Sequence, residues 1–344
     1  MSNLKLNSAG GGSVTLSVPS TSSARTLTLP DLTDTVAVTN QLGLRNRIIN
    51  GAMMIDQRNA GASVTPADGA YTLDRWVYLA DQASKCTIEQ TISGVSAPAG
   101  FQDYLGVTST AATTITTSQQ FAVVQRIEGY NIADLDWGTA NAKTVTLSFW
   151  VRSSLTGTFG GALRNDAGNY NYPFSYTISA SNTWEYKTIT VTGATSGAWV
   201  VNNGRGMQVA FSLGAGASLS GTAGSWSTSS YWNATGATQV LATNGATFYL
   251  TGVQLEKGAT ATPFENRLYG TELALCQRYY QARSVIVEVS ALVQGWCYPV
   301  SMRTSPTISG GGSGYANGST ASKEFFAGYQ TTRAAGDLTF SAEL

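Results

Sequence analysis

The chain has 344 residues, of which only 12% are charged; 20 Lys and Arg balance 20 Asp and Glu, and histidine is absent. A net charge of +0 supplies no overall field to steer it onto nucleic acid or an anionic membrane. The missing imidazole excludes Ser-His-Asp and Cys-His nucleophile pairs, His-ligated zinc and histidine pH switching, though carboxylate-only chemistry such as glycoside hydrolysis survives.

Hydrophobic residues at 42% are enough to bury a core. Thirty-seven glycines and few charges favour strands and turns. The length allows about two domains of roughly 150 residues, or one large all-β domain. At the start, Ser13–Val18, Arg25–Pro30 and Thr35–Val38 alternate cleanly but are short. Strands of this size bury too little apolar surface to stand alone, so residues 1–40 are expected to pack on the body, on copies of the chain or on a larger particle, the competing reading being a flexible tail. Next, Asn50-Gly51 reads as a turn between two apolar stretches, and Tyr71–Tyr78 as an aromatic strand. The strongest strand signals are Phe121–Ile127, Thr144–Arg152, Trp184–Val191, Met207–Leu213 and Thr247–Leu255. Between them lie turn-rich loops, Asn165–Tyr172 and Ser218–Gly236. The second carries Trp226, Tyr231 and Trp232, either folded over the core or used for contact. Thr271 is expected to cap a helix beginning at Glu272, the one sizeable helix and a domain connector. Strands resume at Ser284–Val293, Gly295–Met302 and Leu338–Ala342, around a flexible loop at Gly310–Gly314.

Cys86, Cys276 and Cys297 are an odd number and form no C-x-x-C pair, so they read as reduced, mostly buried thiols. No run of about 18 apolar residues is present, so no membrane insertion is expected. Without an apolar signal core after Met1, synthesis in a reducing cytoplasm is expected. Asp74-Arg75-Trp76 reads as structural, with the Trp in the core and the Asp pairing the Arg. Asp134 and Asp136 offer either one arm of a calcium site or a loop turn; the missing D-x-D-x-D-G pattern favours the turn. Glu89, Glu128, Glu185 and Glu256 share no signature that marks a catalytic pair. No metal and no cofactor are expected.

Several blocks carry a resemblance. Asn46–Arg58, Leu73–Trp76, Thr144–Arg152, Leu250–Gly258, Pro263–Glu265 and Leu275–Tyr280 are similar to segments of bacteriophage tail-fibre and minor structural proteins. Tyr249–Gly258 also resembles the last strand of jelly-roll carbohydrate-binding modules, and Ser13–Ala37 resembles the repeats that attach phage fibres to the virion. The resemblance implies a homotrimeric virion protein, a receptor-binding fibre or spike.

The candidate site is a face rather than a motif. Alternation puts Val145, Leu147, Phe149 and Val151 on one side of a strand, and Ser148, Trp150 and Arg152 on the other. It also turns Gln208 and Gln254 outward, and either Gln125 or Arg126 according to register. If the strands are neighbours, Trp150, Arg152, Gln208 and Gln254 share one sheet face suited to a sugar. The competing reading covers that face with an oligomer interface or with a loop such as Ser218–Gly236.

The expected architecture is all-β: an N-terminal attachment or trimerisation segment (1–45), a jelly-roll β-sandwich (46–265), and a helix leading to a small C-terminal β domain (266–344). The expected function is non-enzymatic. A trimeric tail fibre or spike would be held by its N-terminal segment to another virion protein and would adsorb the phage to host surface polysaccharide. The rivals are a capsid head fibre or decoration protein, and a glycan-degrading tailspike enzyme.

Overall fold

The computed structural model describes residues 4–7, 13–16, 44–287, 290–310, 320–330 and 334–344. Residues 1–42 and 43–344 form two compact units. In the first, β1 (Leu4–Asn7) pairs antiparallel with β2 (Ser13–Leu16), Leu6 opposite Val14. The strands expected at Arg25–Pro30 and Thr35–Val38 lie outside the described residues.

The second unit is a jelly-roll sandwich carrying a smaller β layer. Its strands in chain order are β3 (Trp76–Ala80), β4 (Cys86–Gln90), β5 (Leu105–Ser109), β6 (Gln120–Glu128), β7 (Val145–Ser153), β8 (Gly157–Asn165), β9 (Asn171–Ile178), β10 (Glu185–Val191) and β11 (Arg205–Ala215), then the two-residue β12 (Ser220–Gly221) and β13 (Asn233–Ala234), and β14 (Thr247–Lys257). One five-stranded sheet runs β10-β7-β14-β5-β4 and the other β3-β6-β11-β8-β9, with every pair antiparallel. Period-2 alternation builds the core between them. Val145, Leu147, Phe149 and Val151 of β7 face Met207, Val209, Phe211 and Leu213 of β11 in one buried cluster. Phe149 and Phe211 meet edge to face, 5.0 Å between ring centroids. Burying this many large side chains at about 25 cal/mol per Å² is the main favourable term for the sandwich.

Two strands, β8 and β9, depart from expectation. Gly160, Gly161 and Pro173 read locally as turn residues, yet they lie in paired strands because tertiary contact overrides propensity. A Cβ on Gly161 would sit 2.1 Å from the Ala210 carbonyl oxygen, so only glycine lets β8 approach β11 here. The expected Asn165–Tyr172 loop shortens to the hairpin turn between these strands. On β6, Gln125 turns inward and donates to the Ile49 carbonyl at 3.0 Å, while Arg126 points out.

Residues 46–58 lie against β14 and beside the entry to β3. Asn50 has φ +58, tolerated by asparagine, and its side chain donates to Ile55 O (2.8 Å) and Asp74 O (3.0 Å). The Trp76 indole N–H donates to Asn50 O at 3.0 Å from within the core. Asp74 and Arg75 do not pair with each other, contrary to expectation. Asp74 takes Gln57 and Arg58, whereas Arg75, at φ +70 and fully buried, takes Glu343 and stacks 3.6 Å from the Tyr279 ring centroid. Arg75 in the left-handed region points its chain away from Asp74, which is why adjacent opposite charges find different partners.

The helix α1 spans Tyr269–Gln277, starting three residues earlier than expected. Leu268 is its N-cap without a side-chain bond, and Thr271 lies inside the first turn, its N–H donating to Leu268 O at 2.9 Å. Through Cys276, α1 packs on Ile49 and Ile55 of the body. Beyond it, β15 (Tyr280–Val287), β16 (Ser290–Cys297), β17 (Thr307–Gly310), β18 (Thr320–Ala321), β19 (Phe325–Gln330) and β20 (Ala334–Ser341) form two sheets, β15-β20-β17 and β16-β19-β18. The run expected as one strand over Ser284–Val293 therefore divides between two sheets, and β16 ends at Cys297, short of Met302. Residues 311–314 of the expected glycine loop lie outside the described residues. Cys86 and Cys276 are buried and Cys297 is exposed. No helix among the described residues is long and apolar enough to cross a membrane.

Candidate functional site

The outer face of the first sheet carries an open groove of about 800 Å³, within the range of ligand clefts. Its floor is built by alternation on the two strands at that rim. Trp150 and Thr146 come from β7, and Tyr186, Thr188 and Thr190 from the edge strand β10. Trp150 and Tyr186 are cross-strand neighbours with ring centroids 5.5 Å apart and planes inclined at 50°. Tyr186 is 43% exposed.

Two segments raise the walls. On one side, residues 91–104 fold back over β5 and β14. The Tyr104 hydroxyl donates to Ile92 O (3.0 Å), and the Trp184 indole donates to Ser96 O (2.8 Å). Burial pushes the Tyr104 phenol up to about 12. On the other side, residues 258–265 are pinned by buried polar groups. Glu256 accepts the Thr262 N–H (2.8 Å) and hydroxyl (2.7 Å), and Gln254 accepts the Glu265 N–H (2.8 Å). Phe101 and Phe264, one from each wall, touch edge to face at 5.0 Å.

A β-bulge lets the walls meet. The register of β14 on β7 slips between Thr251 and Gln254, and Gly252 sits there with φ +59. A Cβ on Gly252 would lie 2.7 Å from the Phe101 ring and 3.1 Å from Trp150 Cδ1. Glycine thus supplies both the backbone angle and the room.

The four residues singled out from sequence separate. Trp150 lines the groove. Arg152 shares its face but sits outside the lining, its guanidinium 5.5 Å from the Tyr249 ring centroid. Gln254 points to the same side yet is fully buried, donating to Glu256 at 2.9 Å and holding the wall. Gln208 belongs to the other sheet, so the single face expected for all four does not form. It is 3% exposed beneath the side covered by the loop at 218–236. That loop is folded over the sandwich: Trp232 packs on Val77, Ala122, Val124 and Ala210, and Arg164 lies 3.6 Å over its ring.

Tyr186 and Phe101, absent from the expected set, complete the apolar surface. The exposed positions in Tyr186-Lys187-Thr188-Ile189-Thr190 alternate, a signal readable in the sequence. Five other tryptophans give their indole N–H to a backbone carbonyl: Trp76, Trp137, Trp184, Trp199 and Trp226. The Trp150 indole finds no such acceptor among the described residues. Asp134 is held by Arg47 (2.8 Å) and Lys257 (3.4 Å) and Asp136 by Lys143 (3.7 Å), an arrangement of a turn. Among the described residues, no cluster of three or more acidic or cysteine side chains stands ready for a metal.

No family model matches the sequence, and no curated protein matches it. Among solved structures, the enzymatically active domain of bacteriophage CBA120 tailspike protein 4 is similar over 62% of this chain and 21% of that one, at 12% identity and a TM-score of 0.34. A family 4 carbohydrate-binding module is similar over 61% of this chain and 99% of its own, at 17% identity and a TM-score of 0.33. A family 61 module in complex with β-1,4-galactotriose matches over 62% and 100%, at 11% identity and a TM-score of 0.32.

Proposed function

We propose that this chain is a non-enzymatic phage virion protein, a trimeric tail fibre or spike that binds host surface glycan. The observation that carries the glycan reading is the groove floored by Trp150 and Tyr186. An aromatic face packs against the C–H face of a pyranose, and the threonine and tyrosine hydroxyls meet its hydroxyl groups. Neutral hydrogen bonds of about 1 kcal/mol each give weak binding at one groove. Three linked copies raise it by roughly 10²–10⁴ through avidity. The virion role is supported by the sequence resemblance of residues 46–58 and 275–280. In this reading residues 1–45 trimerise and attach the chain to its virion partner.

The test is adsorption of the purified protein to host cells before and after periodate oxidation of their glycans. Binding is expected to vanish on oxidation and to fall at least about tenfold in Trp150→Ala, with the oligomer intact. If the trimer dissociates instead, Trp150 belongs to an interface and the reading falls. Solution mass should show three chains, immunogold should label the tail, and host polysaccharide should yield no new reducing ends.

A further inference from the structure

We infer that the groove selects uncharged oligosaccharide, a short run of neutral pyranoses lying along β7 and β10, over uronic, sialylated or phosphorylated glycan. This rests on the glycan-binding reading of the same groove. None of the sixteen residues lining it carries a charge. The charged groups close by are turned aside and engaged elsewhere. Lys187 alternates to the opposite side of β10 from Tyr186 and Thr188 and holds Glu185 at 2.6 Å. Glu256 is buried behind the wall by its bonds to Thr262. Arg45 donates to Pro263 O at 3.0 Å and Arg152 lies over Tyr249, both outside the lining.

An anionic sugar entering this groove sheds hydration and meets no cation in the lining, while Arg45 at the Pro263 rim is already engaged with that carbonyl and with Glu256, which makes entry costly. A neutral sugar meets groups matched to it. The exposed Thr190 hydroxyl donates to Ala259 O (3.2 Å), so its proton is engaged and its lone pairs remain to accept from sugar hydroxyls, while the buried Thr146 gives its hydroxyl to Gly258 O (2.8 Å) and ties down the wall. The floor also has a direction. Aromatic rings sit at the Trp150–Tyr186 end, and threonines continue along β10 to Thr190, about 13 Å away at roughly 3.3 Å per residue. One sugar stacks on the rings while its neighbours run over the hydroxyls.

Affinity electrophoresis of the full chain tests this, with soluble xylan, galactan and dextran as neutral probes and polygalacturonate and heparin as anionic ones, at low and high salt. At least one neutral probe is expected to retard the protein equally at both salts. That retardation should weaken at least about tenfold in Trp150→Ala and in Tyr186→Ala. Tyr186→Ala guards against a folding defect, since that side chain is half exposed. Trp150-dependent binding that favours the anionic probes and fades with salt would overturn the neutral assignment and leave the glycan reading standing. Retardation by no probe, or retardation that neither variant changes, would overturn both.

Discussion

The two outer faces of the sandwich are built from the same alternating strands and end up with opposite fates. On the second sheet, Trp232 arrives from outside, in the loop at 218–236, and seals Val77, Ala122, Val124 and Ala210. On the first sheet, Trp150 comes from the sheet itself and lies in an open groove. The sealed face even accommodates a cation. Arg164 has no carboxylate partner among the described residues; burial lowers it to about 9, with Arg205 adding to the effect. It is held by Trp232, the Ser230 hydroxyl (3.0 Å) and the Tyr231 carbonyl. An aromatic residue in an outward strand position therefore says nothing by itself about exposure; what matters is whether a neighbouring loop is long enough to fold back over it.

Removing the lid should break this contrast most severely. Trp232→Ala is expected to cost about 3–5 kcal/mol in urea denaturation while leaving glycan affinity at the opposite face unchanged in the folded fraction. If affinity falls in parallel, the faces are coupled and the contrast fails.

A smaller effect comes from the junction at the sandwich's entry. Burial pushes the Asp74 carboxyl up to about 6, against the opposing pull of Arg58 and Gln57. The folded value lies above the unfolded one, so between about pH 4 and 6 the folded chain holds a proton that the unfolded chain releases. Stability should therefore rise as pH falls through that window, by on the order of 2–3 kcal/mol from this group, and Asp74→Asn should flatten the slope. Urea midpoints across pH measure it. Glycan affinity, arising in an uncharged groove, should stay level over the same range.

Smaller still is Gly252→Ala. At φ +59 a side chain is disfavoured and the Cβ would press on Phe101 and Trp150. A cost of about 1–2 kcal/mol is expected, together with a loss of glycan affinity out of proportion to it. Equal affinity in calorimetry would mean that the bulge does not shape the floor.

Much of the sandwich could be read in advance because β6, β7, β10 and β11, and β14 on either side of its bulge, alternate and send one apolar side to the shared core. Strands β8 and β9 were illegible because Gly160, Gly161 and Pro173 look like punctuation until β11 is known to lie alongside. The side toward which each of Trp150, Arg152 and Gln254 points was readable from period 2. Sheet membership is not, because pairing between distant strands leaves no local trace, and so alternation alone groups Gln208 with residues across the core. Gln254 shows the further limit: its outward direction was right, but the segment that buries it at 258–265 follows it in the chain and carries no periodicity to predict where it folds.

The irregularity in β14 has a bookkeeping consequence of its own. Leu250, Val253 and Leu255 all reach the core, with Gly252 the surplus residue in the ladder. Excising Gly252 alone would reverse no side chain, since residues 251 and 253 would then follow one another in ordinary alternation. The strand would keep its partners and merely straighten. A shortened chain of that kind would keep the floor on β7 and β10 and lose only the recess in which Phe101 approaches Trp150.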